Sequence, residues 1–298
     1  MKVFVTGVSG QLGFDVMNEL KKRGHDAVGS DIIKTEESEI IQLDITDENA
    51  VKSAINAVKP DALIHCAAWT AVDAAEDEEN RTKVDAVNHL GTKYIAEACK
   101  ELNCKMLYIS TDYVFNGQGK EPWSADCKDF APLNVYGASK LNGEAEVTDA
   151  LEKYFIVRIA WVFGKNGNNF IKTMINVGRK YGSVRVVDDQ IGTPTYTFDL
   201  ARLLVDMIET DKYGVYHATN EGGYISWADF AEEIYRQADM NVTVNRVSTA
   251  EYGLSKAARP FNSRLDKSKL AEQGFKLLPD WKNAVRRYLE EAELLWDK

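Results

Sequence analysis

A tyrosine and a lysine stand four residues apart in "NVYGASK", residues 134–140. On a helix that spacing sets Tyr136 and Lys140 one turn apart on one face. A free phenol titrates near ~10, too high for efficient proton transfer at neutral pH. A neighbouring ammonium favours the phenolate and is expected to draw the group toward its working range. The same pair on a solvated helix would do none of this, so the decision rests on what else points there. Thr111 closes the apolar run "KMLYIST" upstream. At the carboxyl end of a strand its hydroxyl can donate to a carbonyl and to a developing alkoxide. Ser110 is the less favoured alternative.

A second chemistry is written near the start of the chain. "TGVSGQLG" supplies Gly7, Gly10 and Gly13 at three-residue spacing between an apolar strand and a helical pattern. Glycines there permit a tight turn, a close backbone approach to phosphate and close helix–sheet packing. The helix N-terminus, with Ser9, Gln11 and Leu12 around it, offers free N–H groups to a pyrophosphate. Asp31 ends the next strand, where a carboxylate accepts from an adenine-side ribose and repels a 2′-phosphate. Lys34 follows closely enough to hold such a phosphate, so NADH and NADPH both stay open.

The elements that must position these groups alternate. Strands are expected at "KVFVTG", "DAVGSD", "PDALIHCAA", "KMLYIST" and "FIVRIAWVF". Helices are expected at 11–24, 47–58 and 81–102, and around "VYGASKLNGEAEV". Near-continuous apolar strands between helices imply an α/β fold, a Rossmann-type doubly wound parallel sheet covered on both faces. After about residue 165 short strands ("SVRVV", "GVYHATN", "VTVNRV") interleave with helices near 168–181, 197–210, 226–238 and 280–296. The expected organisation is a dinucleotide-binding domain over 1–165 and a smaller, partly interwoven α/β substrate-binding lobe over 166–298.

Composition narrows the class. The chain has 298 residues, 45% of them apolar, and a net charge of −10. That argues against a general nucleic-acid binder, which carries a basic stripe. Cys66, Cys99, Cys104 and Cys127 show no CxxC spacing, and the four histidines are scattered, so no zinc site is expected. A glycine at position 7 comes too early for a secretory apolar segment, and no run approaches the ~18 residues of a membrane span. A cytoplasmic protein with reduced thiols is the expectation.

Taken together, "TGVSGQLG", "DITD", "HCAAWTAVDAAE", "STDYVFNGQG", "PLNVYGASKLNGE", "RIAWVFG", "GNNFIKTM", "DDQIGTPT", "ARPFNSRLD" and "LPDW" carry a resemblance over nearly the whole chain. It resembles the extended short-chain dehydrogenase/reductases and, among them, the dTDP-4-dehydrorhamnose reductase family. The resemblance implies an NAD(P)H-dependent reduction of the C4 ketone of dTDP-4-dehydro-β-L-rhamnose. It makes Tyr136 the proton donor, Lys140 its partner and a nicotinamide-ribose ligand, and Thr111 the carbonyl polariser. It sets Asp44 and Ile45 beside the adenine, and Ala67, Ala68 and Thr70 along the rest of the dinucleotide groove. It assigns Asp112, Trp161, Asn169 and Gln190 to the sugar nucleotide, and Arg259 and Asn262 to its diphosphate and nucleoside end.

The same scaffold serves nucleotide-sugar epimerases and dehydratases, and a regulatory subunit of methionine adenosyltransferase. A dehydratase is disfavoured because Thr111 is followed by Asp112 and Tyr113, without a second acid. Intact Tyr136, Lys140 and Thr111 favour catalysis over a purely regulatory role. Some members form a homodimer around magnesium held by glutamates, one of them just after the "GxPT" segment. Phe198 falls there with Asp199 next, and a phenyl ring cannot ligate magnesium. The metal is therefore doubtful, and monomer and homodimer both stay open. The polar stretch "NGQGKEPWSADCKDFAP" reads either as an active-site lid or as a solvated loop.

Overall fold

The computed structural model of the chain describes residues 1–33 and 40–294; Lys34 lies outside the described residues. The first half builds strand–helix units in order: β1 (Lys2–Thr6), α1 (Gln11–Lys22), β2 (Asp26–Asp31), β3 (Ile41–Gln42), α2 (Glu48–Val58) and β4 (Ala62–His65). Two short helices, α3 (Val72–Ala75) and α4 (Glu78–Asp85), lead through a π-helical turn, Ala86–Leu90, into α5 (Gly91–Glu101). Then come β5 (Lys105–Thr111), α6 (Val135–Ala150), β6 (Tyr154–Ile159) and β7 (Val162–Phe163). Side-chain caps open α2, α6 and, later in the chain, the helices that start at Phe170, Trp227 and Trp281. Asn134, for example, accepts from the Gly137 N–H at 2.8 Å and so fixes where α6 starts.

The remainder contributes α7 (Phe170–Tyr181), β8 (Ser183–Val187), β9 (Ile191–Gly192), β10 (Thr195–Tyr196), α8 (Thr197–Ile208) and β11 (Gly214–His217). It closes with β12 (Ile225–Ser226), α9 (Trp227–Gln237), β13 (Thr243–Val247), α10 (Thr249–Tyr252), α11 (Ser268–Glu272) and α12 (Trp281–Glu291). The main sheet runs β11-β6-β5-β4-β1-β2-β3, with every pairing parallel. Strand order reverses between β1 and β4, and ligands of such sheets bind in the crevice at that reversal.

One face of the sheet buries α1 and α8 through Val16, Leu20, Leu200 and Leu204. The other buries α2, α5 and the underside of α6 through Val51, Ile55, Ile95 and Val147. A separate aromatic core (Phe163, Tyr196, Phe230, Trp281, Tyr288) holds the later elements together. Three of those later elements, α8, β11 and α11, pack into the core of the main sheet instead.

Two elements differ from the sequence reading. The run "FIVRIAWVF" is two strands in two sheets, because the chain turns at Trp161, whose φ is +51°. Thr195 fixes that turn by donating its hydroxyl to Ala160 O at 2.6 Å and its N–H to Trp161 O at 3.1 Å. The helix expected over 81–102 is interrupted by the π-helical turn, which carries Asn88 inward.

Candidate active site

At the strand reversal two adjoining clefts open, of about 480 and 420 Å³, sharing Gly7, Gly10, Cys66 and Ala68. Thr6 frames the join: its hydroxyl lies 2.7 Å from His65 Nδ1 and accepts from the Ala67 N–H at 3.2 Å.

The three loop glycines do different work. Gly7 has φ +71°, and a Cβ on it would sit 2.6 Å from Ala67 N. A Cβ on Gly13 would lie 2.2 Å from Gly7 O, so only glycine lets α1 start this close to β1. On Gly10 it would meet only Gly7 O, at 3.3 Å, and otherwise stand in the cleft. That is the cradle a diphosphate needs against a helix N-terminus. Asp31 accepts from the Ser9 N–H at 2.9 Å, tying its carboxylate to the same loop. Asp31, Asp44, Ile45, Ala67 and Ala68 all line the smaller cleft. Gln11, Leu12 and Thr70 line the larger one.

Tyr136, Lys140, Thr111, Asp112, Trp161 and Arg259 converge on the larger cleft. The Thr111 hydroxyl donates to Asp112 Oδ1 at 3.1 Å and accepts from the Tyr113 N–H at 3.2 Å. Burial pushes Asp112 up to about 6, opposed by hydroxyl hydrogen bonds. Burial also lowers Lys140 to about 7, against the pull of Glu144. Tyr136 corrects the sequence expectation: in the chain alone burial raises its phenol, and a hydrogen bond with Thr111 only partly offsets this. The Tyr113 ring meets the Tyr136 ring edge-on at 5.7 Å.

Ser110 is committed elsewhere, donating to Glu144 Oε1 at 2.5 Å. Glu144 in turn receives Arg158 in a bidentate pair at 2.8 and 2.7 Å, wholly buried between α6 and β6. Arg259 donates to Asp73 Oδ2 at 2.6 Å and to the Tyr113 hydroxyl at 3.3 Å. The other oxygen of Asp73 accepts from the N–H groups of Lys256 and Ala257, so it also sets the backbone that presents Arg259.

Three sequence candidates do not reach the clefts. Asn169 caps α7 and donates to Gly164 O and the Tyr288 hydroxyl. Gln190, buried, donates to the Thr249 hydroxyl. Asn262 donates to Gln118 O and Glu121 O, stitching the 116–131 loop to the 261–266 segment. Trp123 adds to that seam, its N–H donating to Arg264 O. The loop is therefore neither a free lid nor simply solvated. Beside Phe198, which is 49% exposed, Asp199 turns inward to a bidentate pair with Arg287.

Residues not singled out from sequence also shape the site. Trp227, at the start of α9, stacks on Trp161 with ring centroids 3.8 Å apart and lines the cleft. Asn88 accepts from the Trp69 N–H and donates to Trp69 O and the Ser139 hydroxyl, tying the loop after β4 to α6. Neither had a local signal; each is brought in by packing.

The family model described as RmlD substrate binding domain matches residues 1–294. A dTDP-4-dehydrorhamnose reductase of Aggregatibacter actinomycetemcomitans is 38% identical, covering 98% of this chain and 99% of the relative. The spore coat polysaccharide biosynthesis protein SpsK of Bacillus subtilis is 34% identical, covering 99% of each chain. Among solved structures, the dTDP-4-dehydrorhamnose reductase of Bacillus anthracis, in complex with NADP, is 40% identical with a TM-score of 0.90. That likeness covers 97% of this chain and 99% of the other.

Proposed function

The chain belongs to the family described as RmlD substrate binding domain, and from that premise we propose that it is an NAD(P)H-dependent dTDP-4-dehydrorhamnose reductase. It reduces the C4 ketone of dTDP-4-dehydro-β-L-rhamnose to give dTDP-L-rhamnose. The observation that carries the reading is the convergence of Tyr136, Lys140 and Thr111 on a cleft continuous with the glycine-loop groove.

The reduced nicotinamide supplies the hydride when bound. Gly7, Ser9, Gly10, Gln11, Leu12 and Gly13 would hold its diphosphate, and Asp31, Asp44, Ile45, Ala67, Ala68 and Thr70 the rest of the dinucleotide. Lys140 would engage the nicotinamide ribose. Thr111 turns its hydroxyl from Asp112 toward the ketone oxygen and polarises it. Tyr136 gives that oxygen its proton. The raised phenol suits this direction, because the donor keeps its proton until an alkoxide, a far stronger base, takes it. Lys140 then stabilises the phenolate left behind. Asp112, Trp161 and Arg259 bound the sugar-nucleotide end. A planar guanidinium suits a diphosphate because it donates two parallel bonds.

The reading needs no partner besides the sugar nucleotide, in a monomer or a homodimer alike, and sets the reaction in the cytoplasm. No helix among the described residues is long and apolar enough to cross a membrane. The test is to incubate the protein with the 4-keto sugar nucleotide and either coenzyme. Stoichiometric coenzyme oxidation and a rhamno-configured C4 are expected. Return of the coenzyme unchanged would identify an epimerase instead. Tyr136→Phe should abolish most turnover and keep coenzyme affinity; near-normal turnover would remove Tyr136 from its role.

A further inference from the structure

Lys140 is 3% exposed, yet among the described residues its ammonium makes no hydrogen bond or ion pair. What lies against it is an aromatic face: the Tyr108 ring of β5, whose centroid is 4.0 Å from Nζ. We infer that Tyr108 is a positioning residue for Lys140, its ring face holding the ammonium in place and charged inside a buried site. The inference rests on the reductase reading for its purpose, though not for its geometry.

The arrangement is locked from several sides. The Tyr108 hydroxyl donates to Lys140 O at 3.3 Å, joining the ring to the backbone of the residue it supports. Gly143 makes room for it, since a Cβ there would stand 2.3 Å from the Tyr108 hydroxyl oxygen. Other groups around the ammonium do not replace the ring. Glu144, one turn along α6, pulls on the ammonium through space, but its oxygens are spent on Arg158 of β6 and on Ser110. His65, stacked on Tyr108 at 5.6 Å, is driven down to about 3 by burial and is neutral. Burial raises the Cys66 thiol to about 12 and raises Tyr136, so both keep their protons. A desolvated ammonium over a ring face gains more from the ring quadrupole than an exposed one.

The test compares Tyr108→Phe with the same position carrying trifluorophenylalanine, which keeps the ring's shape and depletes its negative face. Each protein, without substrate, is labelled with carbon-13 at lysine Cε and titrated by NMR, Lys140 being assigned by its loss in Lys140→Met. Tyr108→Phe should leave the Lys140 midpoint nearly in place. Fluorination should lower it by about one pH unit, since a weaker hold on the cation releases the proton earlier. A midpoint indifferent to fluorination, or shifted as much by Tyr108→Phe, would overturn the inference. Circular dichroism verifies the fold of each variant. Because no turnover is read, this result is independent of whether the unmodified chain reduces the 4-keto sugar.

Discussion

The Thr111 hydroxyl is spent on its own neighbour: it donates to Asp112 Oδ1 at 3.1 Å. To polarise a ketone it must rotate away, and the carboxylate it leaves is buried. In the proposed reaction the donor would thus be stored on an acceptor beside it. Thr111→Val should lower kcat by about 10²–10³ while coenzyme affinity holds, and Thr111→Ser should recover most of the loss. Steady-state kinetics with coenzyme titration by fluorescence reads both; an unchanged kcat in the valine variant would remove Thr111 from the chemistry.

Gly10 and Gly13 should separate folding from coenzyme binding. An added methyl on Gly13 overlaps the Gly7 carbonyl, so Gly13→Ala should cost about 1–3 kcal/mol of stability. Gly10→Ala should fold with little loss but bind coenzyme about tenfold more weakly, about 1.4 kcal/mol. Urea denaturation and coenzyme titration of the two variants would show the opposite pattern if the cradle were elsewhere.

Lys140 makes stability depend on pH with a definite sign. Its folded value is about 7, whereas unfolded lysine titrates near ~10.4. Between the two the unfolded chain binds more protons, so stability from this group rises with pH. The cost of the buried ammonium is full below about 7 and gone above ~10.4. Lys140→Met should therefore raise the melting temperature more at about pH 6.5 than at about pH 9.5. Equal gains by calorimetry would mean that the amine stays fully solvated.

The Glu144–Arg158 pair should behave as an all-or-none unit. Glu144→Gln leaves a buried guanidinium uncompensated and should cost about 3–5 kcal/mol. Replacing both partners, as Glu144→Leu with Arg158→Met, should return much of that. Equilibrium denaturation decides, and two single losses that simply add would show the residues act independently.

What was legible from sequence was what is local. Helical spacing alone sets Tyr136 and Lys140 on one face, and the glycine loop announces itself between a strand and a helix. The break at Trp161 was not legible, because it interrupts an unbroken apolar run and is fixed by Thr195, far along the chain. Asn169 and Asn262 are polar residues that motif reading sent to the ligand; backbone carbonyls and a helix end claim their amides. The direction of the Tyr136 shift was missed for a related reason. Spacing reports the neighbouring lysine, whereas burial, which dominates, exists only in the folded chain. Trp227 enters from the start of α9 with no motif to flag it.

Trp161 sits in the turn where the chain passes from the large sheet to a small one, its indole laid flat on that of Trp227. Two chromophores so close share their excited states. The chain thereby carries an intrinsic optical gauge, its near-ultraviolet exciton signal tied to how the start of α9 sits against the turn after β6, with no label attached.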